Sequence, residues 1–222
     1  MTQKIYFIAD LHLGHKNILT LANRRFDSIQ EHDSYLIDCI NKTVSTSDHL
    51  YILGDLGFHK DYLSLATKMA EINTHNVHII RGNHDDIKDL IRLQEDGLIV
   101  EYKEMKIVKK GNNRIFCCHY PMREWYGFYR GYYHAFGHVH NTLQPYERSM
   151  DVGVDSIGYH PIEFDNLVNT IDSYNEGKIS KISAEDKMIN EFFPNLNVHY
   201  FVGLCTGTKE IRDKIYEVLG RR

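Results

Sequence analysis

Short apolar runs alternate with stretches of helical spacing through the first hundred residues. Lys4 to Ala9 reads as a buried strand, and Ser28 to Glu31 has the form of a capping box ahead of a helix carrying Ile29, Leu36 and Ile40. His49 to Leu53 is a second strand. Tyr62, Leu65, Ala66, Met69 and Ala70 then recur at helical spacing, Val77 to Ile80 gives a third strand, and Ile87, Leu90 and Ile91 mark the next helix. This alternation predicts an α/β layer architecture.

Beyond Gly97 the pattern becomes strand-rich. Met105 to Val108 and Arg114 to Cys118, joined through a turn at Gly111 to Asn113, predict a hairpin. Tyr133 to Phe136 and Met150 to Val152 predict further short strands, and Phe164, Leu167, Val168 and Ile171 a closing helix. The polar stretch SYNEGKISK at 173–181 reads as a linker, which divides the chain into a main domain, 1–175, and a small C-terminal α/β appendage, 176–222. The appendage is expected to hold a strand at 198–204 and an amphipathic helix carrying Ile211, Ile215, Val218 and Leu219.

Composition narrows the function classes. At 222 residues with 42% hydrophobic content the chain can bury a core without staples. Cys39, Cys117, Cys118 and Cys205 show no CxxC spacing and read as core thiols. A net charge of -4 with all 14 His neutral gives no general attraction to nucleic acid or anionic lipid, so nucleic acid enters only as a substrate. The opening MTQKIYFIAD runs straight into a strand and shows neither a signal peptide nor a membrane span, so a cytoplasmic protein without a membrane partner is expected.

The chemistry gathers where strands end. YFIAD-L-H supplies Asp10 and His12, YILGD supplies Asp55, HIIRGNH supplies Asn83 and His84, IFCCH supplies His119, and AFGHVH supplies His138 and His140. In layered α/β folds the loops beyond the carboxyl ends of strands meet at one sheet edge, so these scattered groups can converge. The i, i+2 spacing of Asp10 with His12, and of His138 with His140, puts both side chains on one side of an extended segment, as chelation needs. Leaving His84 aside, two Asp, one Asn and four His are too many donors for one tetrahedral ion and suit two ions that share a carboxylate.

In order and spacing these motifs resemble the calcineurin-like metallophosphoesterase superfamily, whose D-x-H, GD, GNH(D/E), H and GHxH run is matched over residues 1–170. The resemblance is greatest to the small bacterial and phage phosphoesterases. It implies a four-layer fold with a central β-sandwich flanked by helices. It also implies that Asp10, His12, Asp55 and His140 hold one ion and Asp55, Asn83, His119 and His138 the other, with Asp55 bridging. His84 becomes the catalytic group that protonates or stabilises the leaving oxygen, and Asp85 a structural residue. The implied reaction is hydrolysis of a phosphate ester by a hydroxide held between two divalent transition-metal ions, Mn as first choice and Fe, Zn, Co or Ni as alternatives.

A nucleotide-type phosphodiester is the preferred substrate, because the segment from 123 to 134 is dense in aromatic residues that could stack on a base. A phosphomonoester, including a phosphoprotein, is the alternative, and a non-catalytic scaffold on the same fold a distant third. Arg123, four residues past His119, is a candidate phosphate contact, as are Arg25 and His15. Some family phosphatases orient the acid histidine with an Asp shortly after GD; here the chain continues Leu56, Gly57, Phe58.

Overall fold

The computed structural model describes residues 3–58, 61–143 and 145–177. The strand and helix expected at 198–204 and 211–219 lie outside the described residues. In chain order the strands are β1 (Ile5–Ile8), β2 (His49–Ile52), β3 (Asn76–Ile80), β4 (Glu101–Lys103), β5 (Met105–Lys110), β6 (Asn113–Cys118), β7 (Tyr133–Phe136), β8 (Ser149–Asp151) and β9 (Ile162–Glu163). The helices are α1 (Ile18–Leu21), α2 (Ile29–Thr43), α3 (Tyr62–Ala70), α4 (Ile87–Glu95), α5 (Val154–Ile157) and α6 (Phe164–Asn175).

Two sheets form. The first has the order β4-β3-β2-β1-β9, with β1 to β4 parallel and β9 antiparallel; the second has the order β5-β6-β7-β8, in which only the β5–β6 hairpin is antiparallel. The register places Phe7, Tyr51, His78 and Glu101 side by side across the first sheet. Apolar residues of both sheets and of α2, α3, α4 and α6 share one core, in which Phe7, Leu36, Ile40, Ile52, Ile79, Ile115 and Phe164 are fully buried. Each such aliphatic side chain contributes about 1.5–3 kcal/mol relative to exposure.

Local chemistry sets the helix starts. Ser28 Oγ accepts the Glu31 amide at 3.1 Å and so caps α2, while Glu31 returns to the Asp27 amide at 2.9 Å. Asp61 caps α3, and Asp86 caps α4 by accepting the Lys88 amide at 2.8 Å. In α4 the buried pair is Leu90 and Leu93; Ile87 and Ile91, one above the other at i and i+4, lie on a neighbouring face of that short helix and are 42% and 40% exposed. β4, β9, α1 and α5 span only two to four residues, too short to show a period.

The outer face of the second sheet is covered by chain rather than by a long helix. Trp125 buries against Phe116 and Cys118, with Met122, Phe128 and Tyr132 packed around it, and its Nε1–H donates to the Tyr132 carbonyl at 2.9 Å. Much of the aromatic segment expected to wall the site is therefore core.

Candidate metal centre

Parallel pairing brings the carboxyl ends of β1, β2, β3 and of β6, β7, β8 to one edge, where the two sheets are stitched together. The Ala9 amide donates to Val152 and the Val154 amide to Ala9, while within the second sheet the Gly137 amide donates to the His119 carbonyl. Beyond β1 and β2 the chains run on side by side: the amides of Asp10, His12 and Leu13 donate to the carbonyls of Gly54, Asp55 and Leu56.

These segments are not extended, contrary to the i, i+2 expectation. Asp10, His12, Asp55, His138 and His140 have φ of 58°, 51°, 53°, 72° and 44°, the left-handed region that non-glycine residues seldom occupy. Each curl turns successive side chains in new directions. As a result His138 and His140 join different clusters: Asp10, His12 and His140 form one and Asp55, His119 and His138 the other, the donor atoms within each lying inside 4.8 Å of one another.

Asp55 links the two clusters. Its Oδ2 lies 3.5 Å from His12 Nε2 and 3.5 Å from His119 Nε2. Asn83 Oδ1 is 3.1 Å from the same His119 nitrogen. Glycine makes this convergence physical: a Cβ on Gly82 would fall 2.3 Å from Asp55 Oδ1, and one on Gly54 2.4 Å from His119 Nδ1.

The surroundings fix which nitrogen each ring offers. His119 Nδ1 lies 2.8 Å from the Leu53 carbonyl, which can only accept, so Nδ1 carries the proton and Nε2 faces Asp55 and Asn83. His140 Nδ1 is held likewise by Asp155 Oδ2 at 2.8 Å. Arg24, buried, forks onto Asp155 at 2.9 and 2.7 Å and also donates to the carbonyls of Asp10 and Leu11. His32 and Asp33 extend this network, Asp33 Oδ2 accepting the Gly14 amide.

Charge in the site is correspondingly distorted. Burial, reinforced by Asp151, pushes the Asp10 carboxyl up to about 7. Burial, reinforced by Arg24, takes the His12 imidazole down to about 3. Burial acts against ionisation of Asp55 too, but the hydrogen bond and charge of His119 outweigh it and bring that carboxyl to about 2. Burial likewise opposes charge on His119, while the hydrogen bond and charge of Asp55 hold its imidazole above the ordinary value.

The donor set fits divalent metal. His12 Nε2 is buried and lacks a hydrogen-bond partner among the described residues, and it faces a carboxylate oxygen and the ligand cluster. Oxygens of Asp55 and Asn83 converge on His119 Nε2. Imidazole, carboxylate and amide without thiolate is the chemistry of Mn, Fe, Co, Ni and Zn sites.

The other candidates fall at different depths. His84 is exposed, and its ring lies 5.5 Å from His12, 6.3 Å from His15 and 6.5 Å from Phe58, while its amide donates to Asp55 Oδ1 at 3.0 Å. His15 packs between His12 and Phe58. Arg123 is exposed, 5.9 Å from the Tyr146 ring. Arg25 is exposed, and it is the neighbouring Arg24 whose guanidinium reaches the site. Asp155 escaped the sequence reading, although it follows β8 as the ligands follow their strands; Phe58 and Tyr120 carried no polar signal at all.

The sequence profile of the calcineurin-like phosphoesterases matches residues 3–203. An uncharacterized protein of Methanocaldococcus jannaschii is 30% identical over 179 residues, which is 80% of this chain and 94% of the relative. The gene 66 protein of Mycobacterium phage L5 is 32% identical over 82 residues, 36% of this chain and 39% of that protein. Among solved structures, a protein of unknown function from Aquifex aeolicus superposes with a TM-score of 0.58 at 20% identity, covering 80% of this chain and all of that one, a likeness of fold. With five of the nine described strands ending in the family's motifs and the profile spanning most of its length, the chain belongs to the calcineurin-like phosphoesterase family.

Proposed function

We propose that this chain hydrolyses a phosphate ester, by preference a nucleotide-type diester, at a centre of two divalent ions. The observation that carries the reading is Asp55 Oδ2, equally distant from a donor nitrogen of each cluster. Asp10, His12, Asp55 and His140 would hold one ion, and Asp55, Asn83, His119 and His138 the other. Bound there, the ions supply Lewis acidity toward a phosphoryl oxygen and toward the attacking water.

The chain's own groups do the rest. Leu53 and Asp155 keep the protons of His119 and His140 on Nδ1, so that Nε2 is presented inward. Arg24 secures Asp155 and the carbonyl of Asp10, which fixes the curl bearing Asp10 and His12. His84 stands exposed at the mouth, its ring 5.5 Å from that of His12, and is the group assigned to deliver a proton to the leaving oxygen.

The test strips the protein with a chelator, restores Mn, and compares turnover of bis-p-nitrophenyl phosphate with that of p-nitrophenyl phosphate. Faster diester turnover is expected. Preference for the monoester would reverse the substrate class, and no turnover of either by protein carrying two ions would remove the hydrolytic reading.

A further inference from the structure

Two aromatic side chains at the mouth of the site remain in solvent although both are firmly placed. Phe58 is 57% exposed and Tyr120 44%. The Phe58 amide donates to the Leu13 carbonyl at 2.8 Å, and Leu13 and Gly57 form a parallel bridge. Its ring lies 5.1 Å from His15 and edge-on to His84 at 6.5 Å. Tyr120 follows His119 directly, and its ring stands edge-on to His119 at 5.1 Å and to His138 at 4.9 Å.

The two rings thus serve different clusters. Phe58 adjoins the one containing His12, through His15 and His84; Tyr120 adjoins the one containing His119 and His138. Neighbouring aromatics are committed elsewhere: Trp125 is core, the Tyr129 hydroxyl donates to Glu124, and Arg130 lies over Tyr126. An exposed ring backed by a histidine ring offers a flat group a second stacking surface.

A phosphomonoester has one organic substituent to place and a diester has two. We infer that Phe58 and Tyr120 are specificity residues for a diester carrying a flat group on each side, Phe58 stacking on the group that leaves and Tyr120 on the group that stays with phosphorus. The inference rests on the hydrolytic reading above. His84 beside Phe58 sets the direction. In the reaction the oxygen of water bonds to phosphorus, the bond from phosphorus to the leaving oxygen breaks, and a proton passes to that oxygen from His84, which regains one from the water consumed.

The experiment uses the full chain with Mn and two diesters, bis-p-nitrophenyl phosphate and methyl p-nitrophenyl phosphate, which share a leaving group and differ in the retained one. Tyr120→Leu should lower the ratio of kcat/KM for the first over the second by roughly tenfold, the worth of one stacked ring. Phe58→Leu should lower kcat/KM on both by a similar factor, chiefly through KM, and leave the ratio in place. Tyr120→Phe and Phe58→Trp should retain the wild-type pattern, since the ring and not the hydroxyl acts; Mn content of every variant verifies the centre. An unchanged ratio in Tyr120→Leu, or undiminished activity in Phe58→Leu, overturns the inference while leaving hydrolysis standing. Wild-type protein inert toward both diesters defeats the diester reading, and the inference with it; inertness toward p-nitrophenyl phosphate as well removes hydrolysis.

Discussion

The carboxylate of Asp85 accepts the backbone amide of Asp55 at 3.0 Å, and it takes the amides of Leu56 and Gly82 as well, at 2.8 and 2.7 Å. One buried side chain therefore holds the loop after β2 to the loop after β3. Asp85→Ala leaves three amides without their acceptor, at about 1–3 kcal/mol for each that stays buried and dry. At the low end of that range for all three, the expected outcome is a Tm lower by roughly 6–12 °C with weaker Mn binding. A thermal melt and a metal titration check it, and an unchanged Tm would show that water replaces the carboxylate without loss.

Asp55→Asn should be the most damaging of the ligand changes. It weakens an oxygen that faces both clusters and removes the charge that holds His119 above its ordinary pKa. Metal analysis after Mn saturation should find both equivalents reduced, whereas His140→Ala should reduce chiefly one. Full retention of two ions by Asp55→Asn would show that the bridge lies elsewhere.

The left-handed curls oppose folding until something holds them. His138 has φ 72° and is exposed, so glycine there relieves backbone strain while sacrificing little packing. His138→Gly should raise the Tm of chelator-treated protein and shrink the increase that Mn produces. A lower Tm under chelator would mean that the imidazole contributes more to the empty site than the curl costs.

His84→Ala should keep both ions and lower kcat by roughly 10² to 10⁴ on an ester with an alkoxide leaving group. The loss should shrink on p-nitrophenyl esters, whose leaving oxygen needs little protonation. Equal losses on both kinds of ester would assign His84 to positioning or charge stabilisation, and loss of one metal equivalent would make it a ligand.

His134 gives a pH-dependent stability separate from the ligands. Its ring is buried among Phe116, Trp125 and Phe136, with Nδ1 2.9 Å from the Phe116 carbonyl and Nε2 3.2 Å from that of Tyr120. Burial outweighs those two carbonyls and takes its pKa down to about 4 from 6.5. The unfolded chain then binds the proton more readily, so stability attributable to His134 is complete above about pH 6.5 and falls as pH drops toward 4. The fall amounts to about 3 kcal/mol. Tm measured across this range should decline less steeply for His134→Gln than for the parent; identical slopes would show that the folded ring is protonated as easily as a free one.

Much of this was legible in the chain. Polar residues beyond apolar strands named every member of both His/Asp clusters, because a parallel sheet sends all its strand ends to one edge. What misled was geometry at those ends. Treating Asp10 with His12, and His138 with His140, as extended pairs named residues that do enter the clusters, but by a backbone path that is not extended, since positive φ is invisible in a non-glycine side chain. Depth was equally hidden: Arg24 and Arg25 are adjacent and chemically alike, and only packing sends one guanidinium inward to Asp155. Trp125 looked like wall, yet it fills the outer face of the second sheet, while Tyr120, outside the aromatic segment singled out, borders His119.

Each ligand cluster also draws on both halves of the sandwich. Asp10 and His12 follow a strand of the first sheet and meet His140 from the second; Asp55 follows the first and meets His119 and His138 from the second. Ions held by the two clusters would therefore act as a pair of rivets through the seam. Opening that edge of the sandwich and releasing them would then be one mechanical event, and slow exchange of the Ala9 and Val154 amides, which stitch the same seam, would gauge how tightly the rivets are set.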